Sequence, residues 1–230
     1  MKSRDPEQDW FRSRDIPLLQ FLLTTTTILT SWLIALIGGH VKLWPIPMIS
    51  DCGAFAPEKY IFTMGLVSAA FLLFLFIWVV ETAGKVYSSQ LAAWGLGFPA
   101  SIGLMVLATC NHRETPVVHG TAAATYFIFF GSWCLACSFK ELSVDKGTGN
   151  KWPFIRQIIS LANVFFSLYL GTLLVLGYSS NDWQVALSEW AAVLCANLYT
   201  LTFYWDLGDH YFIEQVQELE VLCKKHEVQS

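Results

Sequence analysis

The sequence predicts an all-α polytopic membrane protein, a bundle of six transmembrane helices with both termini on the cytoplasmic side. Three observations predict it. Hydrophobic residues make up 54% of the chain and charged residues only 14%, where a soluble globular chain carries about 25% charged residues; the mean hydropathy of +0.47 points the same way. Six apolar stretches each approach the roughly 20 residues that a helix needs to cross a hydrocarbon core of about 30 Å. The 14 cations divide eleven to three between the two sides that six spans define, and the richer side is the cytoplasmic one. With a formal net charge of −4, the chain offers no basic surface, so no nucleic-acid partner is expected.

The elements follow in order. Residues 1–15 form a cytoplasmic arm holding Lys2, Arg4, Arg12 and Arg14. The first span, 16–39, is too long for a signal-peptide core and lacks a small-residue cleavage site, so it reads as retained. Its Thr24–Thr27 run can return hydroxyls to carbonyls four residues earlier. The second span covers 60–80. The third, 91–110, carries Gly95, Gly97, Ala100 and Gly103 for close helix approach, and Pro99 to kink it. The fourth, fifth and sixth cover 117–139, 154–178 and 185–207, closing a transmembrane domain of 16–207. Arg156 falls in the first turn of the fifth, a position from which it is expected to snorkel to the headgroups. Trp44, Trp94, Trp152, Trp183 and Trp205 fall near span ends, where an amphipathic ring prefers the interface. Residues 208–230 read as a cytoplasmic amphipathic tail, with Phe212, Val216, Leu219 and Cys223 at helical spacing. Such a tail packs on the bundle, lies on the membrane or docks a protein partner.

The informative segment is the non-cytoplasmic loop 40–59. Pro45 and Pro47 force extended backbone, Gly53 permits a tight turn, and Pro57-Glu58 resembles the first turn of a helix. Such a loop is built to hold one shape. Ser50, Asp51 and Glu58 read first as caps of free backbone amides and second as ligands of a lipid headgroup. His40, Asp51, Glu58, His112, Glu114, His119 and Glu189, with Asp182, are expected to converge at this end of the bundle. His119 and Glu189 stand out, each about one turn inside a span, where an unpaired charge is costly. Three readings of them stay open: a structural bond between the fourth and sixth helices, a headgroup site, or acid–base chemistry, in that order. The scattered histidines show no metal-ligand spacing, and no nucleophile elbow, P-loop or dinucleotide fingerprint is present, so neither a metal nor a cofactor is expected. Cys52 and Cys110 both face the oxidising side, where a disulfide between them and two separate thiols are equally open.

These residues resemble a known family. Gly39-His40-Val41, the run from Pro47 through Ser50-Asp51-Cys52-Gly53, Pro57-Glu58 and Ile61-Phe62 resemble the first loop of the DRAM (damage-regulated autophagy modulator) proteins. Pro116-Val117-Val118-His119-Gly120 resembles the start of that family's fourth span, which usually reads Pro-Val-Val-His-Asp-Gly; here the Asp is absent. Ser188-Glu189-Trp190 is similar to the family's Cys-Glu-Trp. The wider superfamily holds the post-GPI-attachment factor, whose Trp-Trp-Asp-Phe-Gly resembles Tyr204-Trp205-Asp206-Leu207-Gly208, and a GPI lipid-remodelling protein. The resemblance implies a non-enzymatic regulator of lysosomal or autophagic membranes, with the Golgi, the endoplasmic reticulum or the plasma membrane as other locations. It also implies an alternative, a lipid-handling or GPI-anchor-remodelling factor whose headgroup site lies at the non-cytoplasmic end. Membrane lipids are the expected partners.

Overall fold

The computed structural model describes residues 13–82, 92–144, 151–179, 182–205 and 207, so most of the arm and the whole 208–230 tail lie outside the described residues. Among the described residues there are helices and turns and no strand. We number the helices α1 (Asp15–Ile37), α2 (Glu58–Thr82), α3 (Phe98–Thr109), α4 (Pro116–Val144), α5 (Trp152–Val175) and α6 (Trp183–Leu201). They follow one another round a ring. Each packs on the next in sequence, and α6 closes the ring on α1.

Five of these helices are long and apolar enough to cross a membrane. The third differs from the expected span at 91–110. It is a shorter apolar helix, Trp94–Thr109, and its first turn is π-helical over Ala93–Gly97. Pro99 supplies the reason. It has no N–H to donate, and its ring would strike the carbonyl four residues back, so the preceding turn widens.

The small residues then set how closely α3 approaches its neighbours. A Cβ on Gly97 would lie 2.6 Å from Ile77 Cγ2, and one on Gly103 would lie 2.8 Å from the Tyr126 backbone nitrogen. Gly95 has open space and takes no part in this contact. The same device joins α1 to α2, where a Cβ on Gly65 would lie 2.1 Å from Thr27 Oγ1. In hydrocarbon, where lipid tails are as apolar as leucine, such close backbone packing is a main source of helix association. Asn163 adds a polar bond between the neighbours α5 and α6, its Nδ2 donating to the Ala192 carbonyl at 2.8 Å.

The core divides into two clusters. The larger, on the side away from the 38–57 loop, is aromatic: Phe76, Phe130, Trp133, Tyr199 and Phe203 meet mainly edge-to-face. The smaller gathers Ile28, Ile49, Phe62, Leu66 and Ala108 beneath the loop. At the helix ends the interfacial rings Trp44, Trp94, Trp183 and Trp205 are exposed, and Trp152 stacks on Trp205 at 5.1 Å.

One residue corrects the sequence reading outright. Arg156 does not snorkel; it is completely buried. Its Nη1 pairs with the buried carboxylate of Glu141, its Nε donates to Thr202 Oγ1 at 2.9 Å, and its Nη2 donates to the Thr202 carbonyl at 3.1 Å. Its guanidinium also lies 4.0 Å over the Phe203 ring. A planar fork can meet a carboxylate, a hydroxyl and a carbonyl at once, which suits arginine to a buried ion pair.

Candidate functional site

The loop between α1 and α2 starts where α1 ends on Gly38 and Gly39; Gly39 has a φ of 73°, a conformation that suits glycine. Its outer part, Lys42 to Pro45, is exposed, and from Pro47 to Ala54 the chain turns inward and is almost wholly buried. Ile49 plugs the top of the bundle, within the smaller core cluster. Asp51–Gly53 forms a single 3-10 turn. Gly53 is required by close approach, since a Cβ there would lie 2.4 Å from Phe62 Cγ.

Side chains from three other places fasten this loop. From α6, Glu189 Oε2 accepts the Ile49 backbone N–H at 2.6 Å, and the Ser50 amide and hydroxyl also turn toward that carboxylate. From the next position, Trp190 Nε1 donates to the Pro47 carbonyl at 2.9 Å and meets Trp32 of α1 edge-on. From the α3–α4 hairpin, Asn111 Nδ2 donates to the Ala54 carbonyl at 2.6 Å. His112 Nε2 and Arg113 Nη2 both approach Asp51 Oδ1, at 3.1 and 3.5 Å, and Arg113 also covers the Phe55 ring at 4.7 Å. At the start of α2, Glu58 is fully buried and meets His40 Nδ1 at 2.5 Å, and Lys59 Nζ pairs with Glu114 at 2.6 Å. A buried loop must have its backbone groups satisfied, and here carboxylate, indole and amide side chains do that work.

The residues nominated from sequence, Asp182 excepted, are thus brought together at this end, but two pairings differ. His119 and Glu189 do not bond to each other. His119 Nδ1 bonds the Cys110 carbonyl at 2.6 Å, which fixes that nitrogen as the protonated one, because a carbonyl can only accept. Glu189 reaches over the bundle to the loop instead. The disulfide is not formed either: Cys52 and Cys110 are separate thiols, and Cys52 Sγ donates to the Met48 carbonyl at 3.3 Å. Burial, with Glu189, Asp51 and Glu58 nearby, pushes the Cys52 thiol well up from its ordinary value and keeps it protonated. Asp182 stays outside the cluster, accepting from the Ser179 amide at 2.7 Å in an exposed turn.

Sequence reasoning passed over Arg113, Lys59 and Trp190 as site residues. The signal for Trp190 was its place beside Glu189; nothing local distinguished Arg113 from an ordinary interfacial cation. Among the described residues, no three of His, Cys, Asp and Glu are grouped as a metal's ligands would be.

Two cavities lie under the fastened loop. One is apolar, with about 450 Å³ of empty space counting the part that opens outward, walled by Ile28, Phe62, Leu104, Tyr126 and Val193 among others, with Glu189 and Ser50 at its rim. It falls where the two core clusters meet. The other is polar, with about 250 Å³ counted the same way, lined by Lys59, Asn111, His112 and His119 among others. Within it, His112 Nδ1 is buried and has no hydrogen-bond partner.

A protein family described as Frag1/DRAM/Sfk1/Cwh43P N-terminal domain matches residues 12–210. No curated protein and no solved structure gives a match.

Proposed function

The chain belongs to the Frag1/DRAM/Sfk1/Cwh43P N-terminal domain family, and from that premise we propose that it is a DRAM-type regulator of lysosomal or autophagic membranes that catalyses no reaction. The observation that carries the non-enzymatic reading is the use to which Glu189 is put. The best-placed acid at the loop end is committed to the Ile49 amide, and His119 to the Cys110 carbonyl. A general base must reach the proton it abstracts, and here Glu189 holds backbone; the bond at His119 Nδ1 leaves its Nε2 unprotonated, so the reading rests on Glu189. Cys52, the one buried thiol of the loop, is kept in its unreactive form. The partners in this reading are membrane lipids, and proteins bound through the 208–230 tail.

The test is complementation. In cells depleted of the endogenous chain, His119→Ala and Glu189→Gln are expected to reach lysosomal membranes and to restore autophagic flux to near the parent's level, since Gln still offers an acceptor to Ile49. Variants that fold and localise normally yet lose flux would show that chemistry occurs at these side chains. A parent chain that never meets a lysosomal marker overturns the compartment.

A second reading is favoured by the paired cavities. In it the chain handles lipids, or remodels the lipid of a GPI anchor, with a headgroup at the loop end. Enrichment of one headgroup class among the lipids that copurify with the detergent-extracted protein supports this reading; a composition equal to that of the source membrane opposes it.

A further inference from the structure

The α3–α4 hairpin reaches the loop through the polar pocket, where two imidazole rings meet. The centroids of His112 and His119 lie 5.8 Å apart, and both residues line the pocket with Lys59 and Cys110. We propose that these two histidines form an acid-operated catch: with both rings neutral the hairpin clamps the loop, and a proton on each ring releases it. The proposal stands on this geometry and does not depend on the compartment.

Three observations carry it. The first is that each ring already has one nitrogen engaged. His112 Nε2 faces Asp51 Oδ1 at 3.1 Å, and His119 Nδ1 bonds the Cys110 carbonyl at 2.6 Å. An added proton must go to the other nitrogen of each ring. That of His112, Nδ1, is buried with no hydrogen-bond partner, so a new N–H there meets no acceptor in place. The second is charge. From the 3-10 turn, Asp51 faces His112 and Arg113 together. From α2, Lys59 pairs with Glu114 of the hairpin at 2.6 Å. From α6, Glu189 gives its carboxylate to the Ile49 amide. Cys52 stays a neutral thiol, and Cys110, just past α3, is an unbridged one. At the end of α1, His40 has the buried carboxylate of Glu58 to itself. Lys59 and Arg113 thus stand against Glu114 and Asp51 before either ring is charged. One added proton has Asp51 within reach. A second sets two like charges 5.8 Å apart, with no unengaged acid among these groups to offset it.

The third is room. The space open to the centre of a water molecule in this pocket is about 10 Å³, enough for about one water. While the hairpin stays closed, no hydration shell can form around a second charge. Acid therefore works in one direction. In the released state both rings are solvated and titrate near the ordinary histidine value of about 6.5. Well above that pH neither state holds the added protons, and the catch stays shut. Below it the released state takes two protons where the clamped state takes one, so each pH unit favours release about tenfold. Between pH 7 and pH 5 the released population should rise about twentyfold.

Cys52 reports the state of the catch, because it is fully buried in the turn that the hairpin holds. The full chain in detergent micelles is treated with dithiodipyridine, a thiol reagent that stays active in acid. Labelling of Cys52 is followed by peptide mass spectrometry at pH 7 and at pH 5. Dividing each rate by that in denaturant at the same pH removes the chemistry of the thiol itself. The expected result is a protection of Cys52 about twentyfold lower at pH 5 than at pH 7. His119→Asn keeps a donor for the Cys110 carbonyl and takes away one of the two protons, so its protection should change less than about threefold. Should it fail to fold, His112→Gln, which keeps a donor toward Asp51, serves the same purpose.

Protection of Cys52 in the parent that is level between pH 7 and pH 5, or that rises in acid, overturns the proposal. So does an acid loss of protection that persists undiminished in His119→Asn or His112→Gln, which assigns the titration to a carboxylate rather than to the paired rings.

Discussion

Replacing Arg156 with methionine should be among the most destabilising single changes in the chain. The guanidinium is completely buried at the end of the bundle away from the loop. It joins three elements: Glu141 on α4, its own helix α5, and Thr202 with Phe203 just beyond α6. Arg156→Met keeps much of the side chain's volume but leaves the Glu141 carboxylate buried without this cation. Removing one partner of a buried pair costs about 3–5 kcal/mol. Glu141→Leu alone should cost a similar amount. The double variant Arg156→Met/Glu141→Leu removes both charges together, and replacing a buried pair by apolar groups of like volume is often neutral or stabilising. It should therefore lie within about 2 kcal/mol of the parent, the residue of the loss being the two bonds to Thr202 at about 1 kcal/mol each. The assay is reversible unfolding in mixed micelles followed by tryptophan fluorescence, run as a double-mutant cycle. If Arg156→Met alone costs less than about 1 kcal/mol, the guanidinium is snorkelling to the headgroups and the buried network is refuted.

Other changes test other contacts. Gly103→Ala puts a methyl against the Tyr126 backbone, where overpacking costs about 1–3 kcal/mol; thermal unfolding in detergent should show a lower Tm, whereas Gly95→Ala, in open space, should show no loss. Cys52, held as a buried thiol, should resist maleimide at pH 8 in the folded protein and react fully in denaturant. Because Cys52 and Cys110 are separate, Cys52→Ser should migrate as the parent does on a non-reducing gel. Glu58→Leu should destabilise by about 1–3 kcal/mol through loss of the buried bond to His40, read again by fluorescence-monitored unfolding.

Much of this architecture is legible in the residues. Apolar run lengths placed the long helices, because a hydrocarbon crossing has a fixed length. The third helix was less so: Pro99 announced a disturbance, but its form, a π-turn before a short helix, depends on what packs on Gly97. Sidedness was a guide to which residues gather at the loop end, but Asp182, nominated by the same rule, lies outside the cluster in an exposed turn. The pairings had no such guide. Glu189 and His119 are both one turn inside their helices, which made a mutual bond the simplest expectation, yet the buried loop needed acceptors for its amides and took Glu189 first. Arg156 failed for a related reason. Its depth in sequence was correct, but its carboxylate partner lies 15 residues away on another helix, a contact that periodicity along one helix cannot reveal. The cavities were invisible, because empty space arises from the mismatch of six facing surfaces.

The loop between α1 and α2 is a buried cap held by Glu189, and amide hydrogen exchange measures that directly. In the parent, the amides of Ile49, Cys52 and Ala54, bonded to Glu189, the Ile49 carbonyl and the Asp51 carbonyl, should be strongly protected. In Glu189→Leu the loop loses its anchor on α6, and a cost of about 1.4 kcal/mol or more should speed exchange at Ile49 at least tenfold while α2 and α4 stay protected. Free exchange of these amides in the parent, or unchanged protection in Glu189→Leu, would contradict the account.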